Sequence, residues 1–328
     1  MRTFASLNHN KMKITITGSL GNISKPLTIE LIKKGHEVTV ISSKADKKKA
    51  IEALGAKAAI GSIEDVPFLT RAFTGADAVY CMMPVFDFAV DVMEETRRLI
   101  GNYCAAIRAS GVKKVVHLSS IGAHTDQGNG LLAFHHLAEK LFRELPADVI
   151  IKHMRPVGFY NNMEYNIDFI KRKDFLGRFL ALRFYGLIPM LRGQVGIIVA
   201  NYGEDDLNPW VSPYDIAEAT AEELTTPFVE RKFRYVASEE LTCNEIAKIL
   251  GEAIGKPYLK WGLISDKEMF DALKSFKLSD ARARGVVEMQ AGSHTGSINE
   301  DYYRHRPVLG RVKFKDYAKD FAAVYNQK

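Results

Sequence analysis

The feature that most constrains this chain is an alternation between two kinds of segment in its first half. Short, β-branched runs occur at Lys13–Thr17, Glu37–Ile41, Ala56–Ile60, Ala76–Met82, Lys114–Leu118 and Asp148–His153. Between them lie helix-length stretches at Ile23–Lys34, Lys47–Leu54, Ile63–Phe73, within Phe88–Ser110, and at Leu131–Glu144. Strands that alternate with helices must pair in parallel, and right-handed crossovers then place helices on both faces of the sheet. The fold class expected is therefore α/β, a doubly wound parallel sheet, with ligands gathered beyond the carboxyl ends of its strands. The alternation fades after Arg155, where a helix at Pro213–Leu224, a strand at Lys232–Val236, a helix at Thr242–Ile254 and further helical stretches follow. This arrangement predicts a flexible lead-in over residues 1–11, the sheet domain over 12–157, and a smaller, mostly helical domain over 158–328. Residues 196–226 are expected to pack back on the sheet domain.

The turn that leaves the first strand reads Thr17-Gly18-Ser19-Leu20-Gly21-Asn22-Ile23-Ser24. Glycines are needed there for a sharp exit from the strand and for close approach of the backbone to a pyrophosphate, which the start of the next helix attracts. A glycine pattern alone is weak; between a strand and a helix in a βα series it marks a Rossmann nucleotide site. Thr17, Gly18, Leu20, Gly21, Asn22 and Ile23 are its candidate contacts. Ser24 stands where a third glycine is usual, and its hydroxyl is expected to cap the helix. The second strand ends in Ser42-Ser43-Lys44, with no carboxylate before Asp46 and with lysines at 47, 48 and 49. An acid there would hold the ribose of NAD, whereas hydroxyls and an ammonium suit a 2′-phosphate. The cofactor expected is NADP(H) in preference to NAD(H), against the plainer reading of a solvated loop.

Bulk properties narrow the class further. Among 328 residues, 45 basic and 39 acidic side chains give a net charge of +6, a mild excess that attracts anions without choosing among them. Cys81, Cys104 and Cys243 have no metal-ligand or redox spacing, so no metal is expected and the location expected is cytoplasmic. Residues 1–11 lack the apolar core of a secretory signal, and Leu180–Ala200 is broken by Arg183, Pro189, Arg192 and Gly193. No membrane partner is therefore expected. One short basic and aromatic cluster, Tyr302–Arg306, is too little to predict nucleic-acid binding.

Several motifs together resemble the NmrA-like family, an atypical branch of the short-chain dehydrogenase/reductase superfamily. They are ITGSLGNIS, GHEVTVISS, DAVYCMMP, KKVVHLSSIGA, HMRPVGFYNNM, NPWVSPYDIAEATAEEL and LTCNEIAKILGEAIGKP, spread from about Met12 to Pro257. The resemblance implies that Met82, Met83 and Pro84 line the adenosine and pyrophosphate side of the cofactor. It implies that Ser62, with Ile63 beside it, lies near the adenine, although the family often has an aspartate at that position. It further implies that Ser119 and Ser120 sit beneath the nicotinamide, and that Pro156, Val157, Gly158 and Phe159 flank it.

Catalytic members of that superfamily use a tyrosine and a lysine four residues later, on one helix face. Here the corresponding stretch reads Phe134-His135-His136-Leu137-Ala138-Glu139-Lys140. One register places His135 and Glu139 at the two positions, with the carboxylate orienting the imidazole as proton donor; a one-residue slip places His136 and Lys140 there. Ser120 joins these catalytic candidates, and Tyr160, Asn161 and Asn162 are candidates for a substrate pocket. His117, in mid-strand, reads as a core residue. Three functions remain open: NADPH-dependent reduction of a small carbonyl, quinone or similar acceptor; NADP(H)-linked redox sensing passed to a protein partner; and an isomerase or lyase reaction. The expected partner is a small-molecule substrate, and the chain is read as a monomer or homodimer.

Overall fold

The structure, a computed structural model, describes residues 11–84, 91–227 and 230–328. The first half begins with β1 (Lys13–Ile16), α1 (Ser24–Lys33), β2 (Glu37–Ser42), α2 (Lys48–Ala53), β3 (Lys57–Ile60) and α3 (Val66–Phe73). It continues through β4 (Ala78–Met82), α4 (Val92–Ser110), β5 (Lys114–Leu118), α5 (Ala133–Phe142) and β6 (Ile150–Pro156). Then come β7 (Gly158–Phe159), α6 (Ile167–Lys171), α7 (Phe175–Tyr185), α8 (Leu187–Leu191), β8 (Ile198–Ala200), β9 (Leu207–Val211) and α9 (Pro213–Thr225). The last part holds β10 (Lys232–Val236), β11 (Glu239–Thr242), α10 (Cys243–Ala253), β12 (Trp261–Leu263), α11 (Asp266–Ser275), α12 (Asp280–Thr295), α13 (Glu300–Arg304) and α14 (Phe314–Gln327).

A seven-stranded parallel sheet runs in the order β10-β6-β5-β4-β1-β2-β3. The expected doubly wound architecture is thus present, and the order reverses between β1 and β4, which opens a crevice at their carboxyl ends. Leu27 and Leu31 of α1, Ile51 of α2 and Ile216 and Leu224 of α9 pack one face; Leu69 and Phe73 of α3, Ile100 and Tyr103 of α4 and Phe142 of α5 pack the other. Local signals set the helix starts. Asp65 accepts from the Phe68 amide at 3.0 Å to begin α3, and Ser212 accepts from the Tyr214 amide at 3.2 Å to begin α9, with a proline in the first turn of each.

Two expectations need correction, and two fall partly beyond the described residues. β6 runs past His153 to Pro156, because β10 pairs with it in register through Tyr235↔Arg155 and Val236↔Pro156. The strand at Lys232–Val236, assigned from sequence to the smaller domain, is therefore the edge strand of the main sheet. With α9 lying against α1, α9 and β10 belong to the sheet domain, and a boundary at 157 divides the chain only in part. Of the lead-in over 1–11 only Lys11 is described, and of the helix sought within Phe88–Ser110 residues 88–90 lie outside the described residues. The smaller unit has its own core, built from Ile167, Ile170, Ile246, Leu250, Trp261, Phe314 and Phe321, between α6, α10, β12 and α14.

His117 of β5 and His153 of β6 are both buried, with Nδ1 atoms 3.0 Å apart, so one ring donates to the other and the two cannot both be charged. Burial pushes His153 down to about 3 and His117 well below its usual value. The folded state therefore takes up fewer protons than the unfolded chain below about pH 6.5, and stability falls as pH drops from there toward 3. Urea unfolding across this window should show a slope of up to ~1.4 kcal/mol per pH unit for each histidine, flattened in His117→Leu/His153→Leu. An unchanged slope in the double variant would show that other groups carry the acid sensitivity.

Candidate functional site

The glycine turn leaves β1 in a conformation that its side chains dictate. Gly18 has φ +92, and a Cβ there would stand 2.5 Å from Ser24 Oγ and 3.1 Å from Met82 Cγ. Ser19 is also left-handed, at φ 54; its amide donates to Ile41 O at 3.1 Å and its hydroxyl to Ser42 Oγ at 2.9 Å. Gly21 answers a different need, since a Cβ there would press on Gly18 O at 3.1 Å. Ser24 does not cap α1. Its hydroxyl donates to Thr17 O at 2.9 Å, binding the helix start to the end of the strand. No side chain caps α1 and no acid sits in its first turn, so the positive end of the helix dipole faces the crevice uncompensated.

This turn forms one side of a cavity of about 500 Å³, within the usual range of small-ligand sites. Gly18, Gly21, Asn22 and Ile23 line it from the turn; Met82, Met83 and Pro84 line it after β4; Ser119 and Ser120 line it after β5. His135 of α5 and Phe159 of β7 stand at the opposite wall. The Tyr103 hydroxyl donates to Met82 O at 2.9 Å and holds that side in place. Two polar atoms of the lining, Tyr80 Oη and His135 Nδ1, are buried without a hydrogen-bond partner. Buried polar atoms are costly to leave unpaired. A cradle that a Cβ would fill, an open helix start and two unpaired donors or acceptors along one cavity are what a dinucleotide with a polar headgroup requires. The residues present fit NAD(P)H.

On α5 the two proposed registers separate. His135 lines the cavity; His136 turns away, with Nδ1 at 3.0 Å from Ala123 O, and Lys140 is exposed. Glu139 is buried but does not orient His135. It accepts Arg155 Nε at 2.9 Å and Arg155 Nη2 at 2.8 Å, and the Ser119 hydroxyl at 2.7 Å. Glu139 is therefore engaged by Arg155 and holds the Ser119 hydroxyl at the end of β5. Burial pushes the His135 imidazole down to about 4, partly offset by the Glu139 charge. At neutral pH it is an uncharged hydrogen-bonding group, not the proton-charged acid expected from the sequence.

Other candidates take structural places. Thr17 is buried, donating to Tyr80 O and accepting from Met82 N at 3.1 Å each, and so stitches β1 to β4. Leu20 packs on the core beneath α1. Ser42 is buried, its hydroxyl holding Ser19 and the Lys44 amide, whereas Ser43 and Lys44 are exposed at the strand end. Ser62 accepts from the Glu64 amide at 3.1 Å to shape its own turn, and Ile63 packs toward α3 and α4; neither lines the cavity. Pro156 O accepts from Ile121 N, Val157 is core, and Gly158 lies under the Trp210 ring, so only Phe159 of that quartet reaches the cavity. Tyr160, expected in a substrate pocket, is fully buried in the smaller unit, donating to Val312 O at 3.0 Å and packed on Phe314 and Tyr317. Asn161 and Asn162 share its turn and also stay off the lining. Tyr80, Phe134, Leu131 and Arg282 line the cavity and were not singled out from sequence. Strand alternation carried no sign of which face Tyr80 serves, and Arg282 arrives from α12, far along the chain.

Residues 18–176 match the sequence family described as NAD(P)H-binding. Over this stretch the chain is similar to that family. The doubly wound fold expected from the sequence is shared with triphenylmethane reductase from Citrobacter sp. at TM-score 0.69 and 19% identity, over 95% of this chain and 99% of that one. It is shared equally with an NADPH-dependent quinone oxidoreductase from Escherichia coli complexed with NADPH, at TM-score 0.69 and 19% identity, over 94% and 99%. A UDP-glucose 4-epimerase from Klebsiella pneumoniae is 27% identical over 135 residues, covering 35% of this chain and 94% of that protein. In this NAD(P)H-binding domain, Gly18→Ala forces a side chain into both an unfavourable φ and an occupied space. NADPH affinity measured by fluorescence titration should fall by at least about tenfold, with the fold retained by circular dichroism. Undiminished affinity would remove the turn from the cofactor site.

Proposed function

We propose that this protein is an NADPH-dependent oxidoreductase that reduces a small carbonyl, a quinone or a similar apolar electron acceptor. The observation that carries this reading is one continuous cavity with the glycine turn on one side and Phe134, His135 and Phe159 on the other. A bound nicotinamide would supply the hydride, which leaves the chain to bind, orient and exclude water. Phe134, Phe159 and Leu131 offer apolar walls for an acceptor, with the His135 imidazole in the same lining. Among the described residues α5 carries no tyrosine–lysine pair, and His135 is uncharged at neutral pH. An acceptor whose reduced form takes protons from solvent, such as a quinone, suits this site better than an unactivated ketone. NADPH is favoured over NADH because Ser43 and Lys44 stand exposed where the second strand ends, with only Asp46 as an acid among three further lysines. Two proteins of the same fold are named as a dye reductase and an NADPH-dependent quinone oxidoreductase, which supports the reading. A redox-sensing regulator is the second reading, favoured by the lack of a charged proton donor at His135.

Purified protein should oxidise NADPH in the presence of a benzoquinone. His135→Ala should lower kcat/KM by about tenfold or more, and the wild-type rate should stay flat from neutral pH down to about 5, falling only toward the His135 value of about 4. NADPH binding without oxidation across quinones and carbonyls would replace the reductase by the sensor. Separately, Lys44→Glu should weaken NADPH about tenfold while leaving NADH unchanged; equal loss for both would withdraw the 2′-phosphate assignment.

A further inference from the structure

Helix α7 is built inside out. Its buried positions are Gly177, Leu180 and Ala181, small or single residues, while Phe175, Phe179 and Leu182 lie outward on one stripe at helical spacing. Phe175 is 86% exposed, and α8 adds Ile188 at 64% and Leu191 at 72%. Scattered exposed apolar residues need no explanation, but a run of them on two adjoining helices does. At 100° per residue, Arg178 falls on one side of the α7 stripe and Arg183 on the other. Between residues 171 and 192 there are six basic side chains and one acidic, so this short segment holds nearly the whole net charge of +6. The single acid, Asp174, is engaged in capping α7 through the Gly177 amide at 3.0 Å. Arg183 is paired with Glu268 at 2.5 Å, which leaves Lys173, Arg178 and Arg192 as exposed charges bordering the patch.

We infer that α7 and α8 form a docking face for the surface of an anionic lipid bilayer. An apolar stripe with arginine along its borders is the pattern of a helix lying in the interface, its apolar side at the acyl boundary and its cations among headgroups. No helix among the described residues is long and apolar enough to cross a membrane, and lying on one requires no such length. Charge decides against a second copy of this chain as the occupant. A two-fold contact through this face would set its basic border against itself, whereas anionic headgroups neutralise it. The inference stands apart from the reading of the cavity, though a lipid-soluble acceptor would reach such a protein readily. It departs from the expectation of no membrane partner, which rested on the lack of a span.

The full chain is tested by co-sedimentation with vesicles of phosphatidylcholine alone and of phosphatidylcholine mixed with phosphatidylglycerol. Binding should be about tenfold or more stronger to the anionic vesicles and should weaken with salt. Phe175→Ser/Phe179→Ser/Ile188→Ser should lose about tenfold of it while keeping thermal midpoint and NADPH affinity. Phe175→Trp, which keeps the apolar character, should show a blue-shifted emission on anionic vesicles. Absence of anionic-vesicle binding, equal binding by the triple serine variant, or an unshifted tryptophan spectrum would overturn the inference. So would a wild-type dimer in sedimentation velocity that the triple variant splits into monomers, which would give the face to a second copy.

Discussion

Arg155 and Glu139 form a buried, two-pronged ion pair on which the organisation of the site depends. The pair joins β6 to α5, and the same carboxylate takes the Ser119 hydroxyl at the end of β5. Arg155 also reaches Asp301 at 3.2 Å, which accepts the Tyr235 hydroxyl at 2.6 Å, and its guanidinium lies 4.0 Å from the centre of the Phe233 ring. Strands β5, β6 and β10 and helices α5 and α13 are thereby locked in one arrangement. Such a pair adds little net stability over apolar packing, but breaking one side of it costs about 3–5 kcal/mol by stranding a buried charge. Its contribution is geometric: it fixes where Ser119 and His135 stand against the glycine turn.

The opposite wall of the cavity is set by different physics. Gly18 and Ser19 adopt left-handed backbone, and the strain is held by Ser24 on Thr17 O and by Ser19 on β2. Thr17 ties the same turn to β4, so Met82 and the turn move as one. The cavity thus has a rigid polar cradle on one side and a wall of aromatic rings with an uncharged imidazole on the other.

Much of this was legible along the chain. Alternating β-branched and amphipathic segments determined the parallel sheet, because no other pairing satisfies short strands joined by helices. The glycine turn was legible as a sharp strand-to-helix exit, and its backbone conformation excludes a Cβ at Gly18. Ser42, Ser43 and Lys44 were legible as a strand end without an acid, though not that Ser42 would be consumed in bracing Ser19.

Tertiary structure alone decided the rest. That Lys232–Val236 completes the main sheet, that Tyr160 belongs to the smaller core, and that Arg282 reaches the cavity from α12 all depend on contacts between distant segments. The spacing of His135 and Glu139 placed them one turn apart on a helix, but the partner of Glu139 is Arg155, sixteen residues further on, and the state of His135 follows from burial. Sequence determines what local backbone and periodic patterning require. Which partner a buried charge finds, and whether an imidazole keeps its proton, is fixed only when the folded chain removes the surrounding water.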